Sequence, residues 1–273
     1  MLTRLADRLI LCPTTHPISA GEKRRVLLDF DHGQFEVWIQ TTGQTKEQAH
    51  PDLFLLKFPG TGGRAERMSE HPADVWQDLA TEVWTVNPPG YGGSGGRASL
   101  RHVTAVADAA WKHLSLRANG KPIIATGNSL GCVAAFHLAA NHELAGLLVR
   151  NPPPLRELIA GRYGWWNFGL SKLIAAQVPE SLCSIANASR AKVPAVFVMS
   201  GKDRTVPPSY QRRIIDAYRG KQQLMLLRDA DHATPIDEGQ VPEYLDKLNW
   251  LREMLHQHHA AQSGSRSFSA DKT

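Results

Sequence analysis

Hydrophobic positions in this chain fall into two rhythms. Short, nearly unbroken apolar runs alternate with longer stretches in which apolar residues recur every third or fourth position. The first rhythm marks strands buried on both faces, and the second marks helices lying over them. The runs are "RRVLLDF", "QFEVWIQ", "DLFLLKF", "EVWTV", "PIIAT", "AGLLVRN", "AVFVMSG" and "QLMLLRD". The first two are separated by "DHG", which predicts an antiparallel hairpin at one edge of a sheet. Helical spacing predicts helices over 72–79, 100–116, 130–140, 210–218 and 242–258. Residues 152–192 open on Pro152-Pro153-Pro154, close on "KVP", and read as a mostly helical insertion.

Strands and helices in alternation predict an α/β fold, a mostly parallel central sheet with helices on both faces. One domain is expected over 1–259, containing the insertion at 152–192. The small, polar residues of 260–273 predict a disordered tail. Near the N-terminus, Leu2, Leu5, Leu9 and Cys12 share one helical face, which is expected to pack on the domain rather than on a membrane.

Composition narrows the function classes. The formal charge is +5 over 273 residues, and no basic stripe interleaved with aromatics is present, so no nucleic-acid partner is expected. The "EKRR" cluster at 22–25 reads as a solvated strand start. Cys12, Cys132 and Cys183 are too few and too scattered for a disulfide framework or a zinc site. They read as small hydrophobes in a reducing compartment, and a cytoplasmic location is expected. The apolar run Leu9–Cys12 is too short for a signal peptide, and no integral membrane segment is predicted.

Two serines stand in the pattern Gly-x-Ser-x-Gly: Ser129 between Gly127 and Gly131, and Ser94 between Gly92 and Gly96. Ser129 follows directly on "PIIAT" and leads directly into "LGCVAAFHLAA". That strand–turn–helix context is what a nucleophile elbow needs, because the sharp turn lifts the hydroxyl clear of the sheet. Ser94 fails the same test, with Pro88 and Pro89 between it and its strand. Gly90, Gly92 and Gly95 also satisfy a dinucleotide fingerprint, with Asp108 lying 18 residues after Gly90. However, that motif should itself be the turn from a first strand into a helix, and here two prolines intervene. The glycines read as a tight loop beside a pocket.

A serine hydroxyl needs a base to take its proton, and the base needs a carboxylate to fix its tautomer. His137 and His142 lie on or after the helix that follows Ser129, and His256, His258 and His259 end the last helix. His232 lies in "LMLLRDADHATP", just past the last strand, and Asp203 holds the matching place after the strand before it. Residues past the C-terminal ends of parallel strands converge on one crevice. Ser129, Asp203 and His232 all lie there, in that chain order.

On these residues the chain resembles the α/β-hydrolase superfamily from about residue 22 to 258. The resemblance implies Ser129 as nucleophile, His232 as general base and acid, and Asp203 as its orienting partner. It implies the backbone N–H of Leu130 as one oxyanion donor and makes Thr61, in "KFPGTGG", the candidate for the other. Pro59 stands where a histidine is common in the family, although backbone donation does not require one. It also gives Ser94 a structural place, in the glycine-rich loop after the fourth strand. Residues 152–192 fall where relatives insert a cap, and Trp165, Trp166 and Phe168 in it either pack the cap onto the body or line an acyl-binding cleft. The expected substrate is a small-molecule carboxylic ester, cleaved through an acyl-enzyme with no metal and no cofactor. Thioester hydrolysis or acyl transfer by the same residues is the alternative, and a catalytically silent scaffold that binds a partner comes third.

Overall fold

The computed structural model describes residues 2–43, 50–163 and 169–269, with side chains for all of these except 162, 163 and 256–269. Eight strands form one sheet: β1 (Arg24–Phe30), β2 (Gly33–Thr42), β3 (Leu53–Phe58), β4 (Thr81–Asn87), β5 (Ile123–Asn128), β6 (Gly146–Arg150), β7 (Ala195–Ser200) and β8 (Gln222–Leu227). Their spatial order is β1-β2-β4-β3-β5-β6-β7-β8. β1 and β2 form the predicted edge hairpin and β2 runs antiparallel to β4, while every pair from β4 to β8 is parallel.

The central strands β3, β4 and β7 are buried along their whole length. Successive residues still serve opposite faces. Phe54, Leu56, Ala125, Val149 and Phe197 pack in one core, and Leu53, Leu55, Ile124, Val196 and Val198 pack in the other. The first core is covered by α2 (Leu100–Ala118), α3 (Gly131–Asn141), α6 (Ser184–Ala188) and α7 (Pro208–Ala217). The second is covered by α8 (Val241–Ser269), through Tyr244, Leu248, Leu251 and Leu255. Two apolar faces per strand require two helical layers, which is why the runs lack polar alternation.

Three segments differ from the sequence reading. Residues 72–79 are not an α-helix. They make successive i→i−3 turns around one 3₁₀ turn at Ala73–Val75, and these tight turns drive Trp76 fully into the second core. The last helix does not end near 258; α8 continues to Ser269, so residues 260–269, expected to be unordered, are helical. Ala260, Ala261 and Gln262 are good helix formers and carry it past the histidines.

The third difference is α1 (Leu2–Leu11). It docks on the domain, but through Ala6, Asp7 and Leu11, leaving Leu2, Leu5, Leu9 and Cys12 exposed. Ala6 is small enough for close approach to its neighbours. Asp7 Oδ1 accepts from the N–H of Leu100 at 2.8 Å, satisfying a first-turn donor of α2. The insertion between β6 and β7 holds α4 (Leu155–Tyr163), α5 (Leu170–Ala175) and α6, with a 3₁₀ turn at Glu180–Leu182. Leu155, Ile159, Ile174, Val178 and Leu182 pack with Ala6 and Leu11 of α1 and with Tyr91 in a third apolar cluster.

Candidate active site

Ser129 stands at the turn from β5 into α3 with φ +51°, a left-handed backbone that residues with a Cβ rarely adopt. The turn is held by Ser129 N–H donating to Arg150 O at 2.8 Å and by Cys132 N–H donating to Ser129 O at 2.9 Å. Its flanking glycines are required by space. A Cβ on Gly127 would lie 2.6 Å from Cys132 Cα, and one on Gly131 would lie 2.7 Å from Pro59 O. Cys132 itself is fully buried, and burial pushes its thiol well above the ordinary range, so it is no competing nucleophile.

His232, past β8, reaches both partners. Its Nε2 lies 3.0 Å from Ser129 Oγ, and its Nδ1 lies 2.7 Å from Asp203 Oδ2. An ionised carboxylate can only accept, so Nδ1 carries the proton and Nε2 is free to accept from the serine hydroxyl. Asp203, buried past β7, receives three more donors: Thr205 N–H and Val206 N–H at 2.8 Å each on Oδ1, and Gln211 Nε2 at 3.1 Å on Oδ2. The carboxylate is therefore fixed in orientation before any substrate arrives.

Two residues that the sequence did not single out hold this arrangement. Asn151, fully buried at φ +51° just past β6, donates from Nδ2 to His232 O at 2.9 Å and accepts on Oδ1 from Ser200 N–H at 2.9 Å. It ties the His232 loop to the end of β7. Asp231 accepts on Oδ1 from Arg204 N–H at 2.9 Å and from His232 N–H at 2.7 Å, joining the loops of Asp203 and His232. These backbone donors hold its carboxyl below the usual carboxylate range. Asn after a strand and before three prolines was the available signal for Asn151. Asp231 offered none beyond its place beside a histidine.

The loop after β3 forms the opposite wall. Gly60 packs against the elbow so closely that a Cβ there would lie 3.3 Å from Ser129 Cβ. Among the described residues, the N–H groups of Thr61, which follows it, and of Leu130 have no hydrogen-bond acceptor. The loop is pinned by a buried polar cluster. Arg64 pairs with Glu66 and donates to Thr14 O at 3.0 Å and His16 O at 3.1 Å, while Asn87 accepts from Ala65 N–H at 2.8 Å and donates to Glu66 at 2.8 Å. Burial would raise the Glu66 carboxyl, but the Arg64 and Asn87 hydrogen bonds outweigh it and hold it low. Leu11, Phe58, Tyr91, Val103, Leu130 and Ala134 are among the residues lining a narrow apolar cleft of about 50 Å³ beside this loop.

Ser94 is buried and occupied. Its Oγ donates to Asn87 O at 2.7 Å and accepts from Glu36 N–H at 2.9 Å. Trp165, Trp166 and Phe168 lie outside the described residues. Among the described residues, Asp108, His137 and His142 are brought together on the flank formed by α2 and α3, with ligand atoms within 4.8 Å of one another. Both imidazoles bond Asp108 Oδ1, at 2.8 and 2.6 Å. No helix among the described residues is long and apolar enough to cross a membrane.

No family model matches the chain. It is 30% identical over 160 residues to an uncharacterized protein of Mycobacterium tuberculosis (strain ATCC 25618 / H37Rv), covering 58% of this chain and 55% of that one. It is 35% identical over 100 residues to alpha/beta hydrolase domain-containing protein 17B of Xenopus laevis, covering 36% of this chain and 35% of that one. The matched stretches thus span about half or less of the curated relatives. Among solved structures, an esterase from Pyrococcus furiosus superposes with a TM-score of 0.66 over 89% of this chain and 97% of its own, at 15% identity. A likeness so complete in extent and so slight in sequence concerns shape, and with the sheet order and the turn after β5 it means that this chain has the α/β-hydrolase fold.

Proposed function

We propose that this protein is a serine hydrolase that cleaves a carboxylic ester through an acyl-enzyme. The observation that carries the reading is the unbroken chain from Ser129 Oγ through His232 to Asp203, at 3.0 and 2.7 Å, on a serine held at φ +51°. As Oγ attacks the acyl carbon, His232 Nε2 takes its proton, and Asp203 stabilises the imidazolium that results. The oxyanion forms beside the N–H groups of Leu130 and Thr61. Collapse expels the alcohol, which takes the proton from His232. A water molecule deprotonated by His232 then attacks the acyl-enzyme, releasing the acid and the free serine. The apolar cleft beside Leu130 suits an acyl chain. The same steps serve a thioester, or an acceptor other than water.

A fluorophosphonate probe tests the reading. The expected adduct lies on the peptide containing Ser129, and Ser129→Ala removes it. A panel of matched esters and thioesters, with and without alcohol acceptors, then ranks the leaving group and acceptor. Labelling that persists in Ser129→Ala would overturn the assignment, and an unlabelled wild-type protein would favour a silent scaffold.

A further inference from the structure

We propose that α1 and α5 form a face that docks on an anionic lipid bilayer. Resting on the reading above, we further propose that the substrates are acyl esters held in that surface. Eight large hydrophobic residues among those described are exposed, and five of them belong to these two short helices: Leu2, Leu5, Leu9, Leu170 and Leu173, each 41–56% exposed. On α1 the leucines recur at i, i+3 and i+7 and form one stripe, the opposite of the face that packs. α5 lies against α1. Ala6 shares a buried cluster with Ile174 and Ala175, and Thr3 Oγ1 donates to Gln177 Oε1 at 2.8 Å.

Charge selects the occupant. Arg4 and Arg8, one helical turn apart, lie exposed to one side of the leucine stripe, and Lys172 lies exposed on α5. None of the three has an ion-pair partner among the described residues. The one acid on α1, Asp7, is buried and occupied by the N–H of Leu100. A second copy of this face would bring like charges together with no acid to meet them. Lipid phosphates supply the missing anions, and a leucine stripe with arginines along one side fits the boundary between headgroups and acyl chains.

The same helix touches the candidate site from its other side. Leu11 lines the apolar cleft, and its carbonyl accepts from Gly62 N–H at 3.0 Å, in the loop beside Ser129, and from the Tyr91 hydroxyl. An acyl chain leaving the bilayer at α1 therefore has only one helix, about 10 Å across, to round before entering the cleft.

Flotation of the full chain with vesicles tests the docking. Binding is expected to an equimolar mixture of phosphatidylcholine and phosphatidylglycerol. It should weaken by roughly a hundredfold on phosphatidylcholine alone, since three cations lose their partners. Leu5→Glu with Leu9→Glu should abolish flotation, and Arg4→Glu with Arg8→Glu should abolish the preference for anionic vesicles. Both variants should keep the wild-type rate on p-nitrophenyl acetate in solution and lose it on a long-chain ester embedded in the anionic vesicles. Equal flotation of wild type and leucine variant overturns the proposal. So does a wild-type dimer that the leucine variant converts to monomer, because the face is then a self-interface. If every protein floats as expected but none, Ser129→Ala included, differs in activity on any ester, docking stands and the ester-hydrolase reading fails.

Discussion

His232 Nε2 and Ser129 Oγ are 103 positions apart in the chain and 3.0 Å apart in space. β5 and β8 are not neighbours in the sheet; β6 and β7 lie between them. What closes the gap is a loop after β8 reaching back over two strands, with Asn151 and Asp231 holding it there.

Removing the two Gly-x-Ser-x-Gly hydroxyls should have opposite consequences. Ser129→Ala is expected to fold with unchanged stability and lose fluorophosphonate labelling. Ser94→Ala is expected to keep labelling but unfold more readily, by about 1–3 kcal/mol, because Glu36 N–H and Asn87 O lose a buried partner. Chemical denaturation alongside probe labelling distinguishes the two.

Asp203→Asn tests the orientation of the imidazole. An amide at this place can offer its N–H to Nδ1 and so favours the wrong tautomer. The expected loss in kcat is roughly 10⁴-fold, with little change in KM. Steady-state kinetics on an activated ester would settle it, and a variant within a few fold of wild type would mean that another group orients His232.

Asn151→Ala is expected to act on geometry. The variant loses the bond to His232 O and leaves Ser200 N–H unpartnered, while the side chains of Ser129, His232 and Asp203 stay intact. Its kcat should fall by one to two orders of magnitude, roughly what small misplacements of catalytic groups cost. If only the melting temperature fell and kcat held, Asn151 would be a purely structural residue.

Asp108 gives an acid-side prediction. Burial pushes its carboxyl up, but the His137 and His142 hydrogen bonds and charges outweigh this and lower it to about 2, from 3.8. A carboxyl lowered by folding adds stability above its unfolded value, and that contribution disappears as pH falls from about 3.8 through 2. Asp108→Asn should therefore melt below wild type near neutral pH, and the gap should close toward pH 2. The Asp108 side chain is 42% exposed, so solvent screens the effect and a shift of a few degrees at most is expected. Differential scanning calorimetry across that range measures it.

The meeting of the three candidate catalytic residues was legible in the sequence. Ser129, Asp203 and His232 each follow an apolar run, and parallel strands bring such positions to one edge. The residues that hold them were not, because their contribution depends on what the fold sets opposite them. Asn151 meets a loop 81 residues away, and Gln211 meets Asp203 from within α7. Asp108 and the two histidines likewise meet only because α2 lies alongside α3. On α1 the periodicity correctly marked an amphipathic helix but named the wrong side. Packing there is decided by a small residue, Ala6, and by one hydrogen bond from Asp7, neither of which adds to a hydrophobic stripe.

The insertion between β6 and β7 divides the chain's labour. The candidate nucleophile and both candidate oxyanion donors precede it, and the candidate base and acid follow it. The sheet is nonetheless continuous beneath it, since β6 and β7 pair directly from Leu147 with Ala195 to Arg150 with Val198. A randomised library confined to the exposed positions of this stretch would test whether it selects substrates: a changed preference among esters at a constant rate of fluorophosphonate labelling is the outcome expected of a cap. Two fragments cut within it would each carry half of the proposed machinery, and their reassembly could be scored by restored turnover.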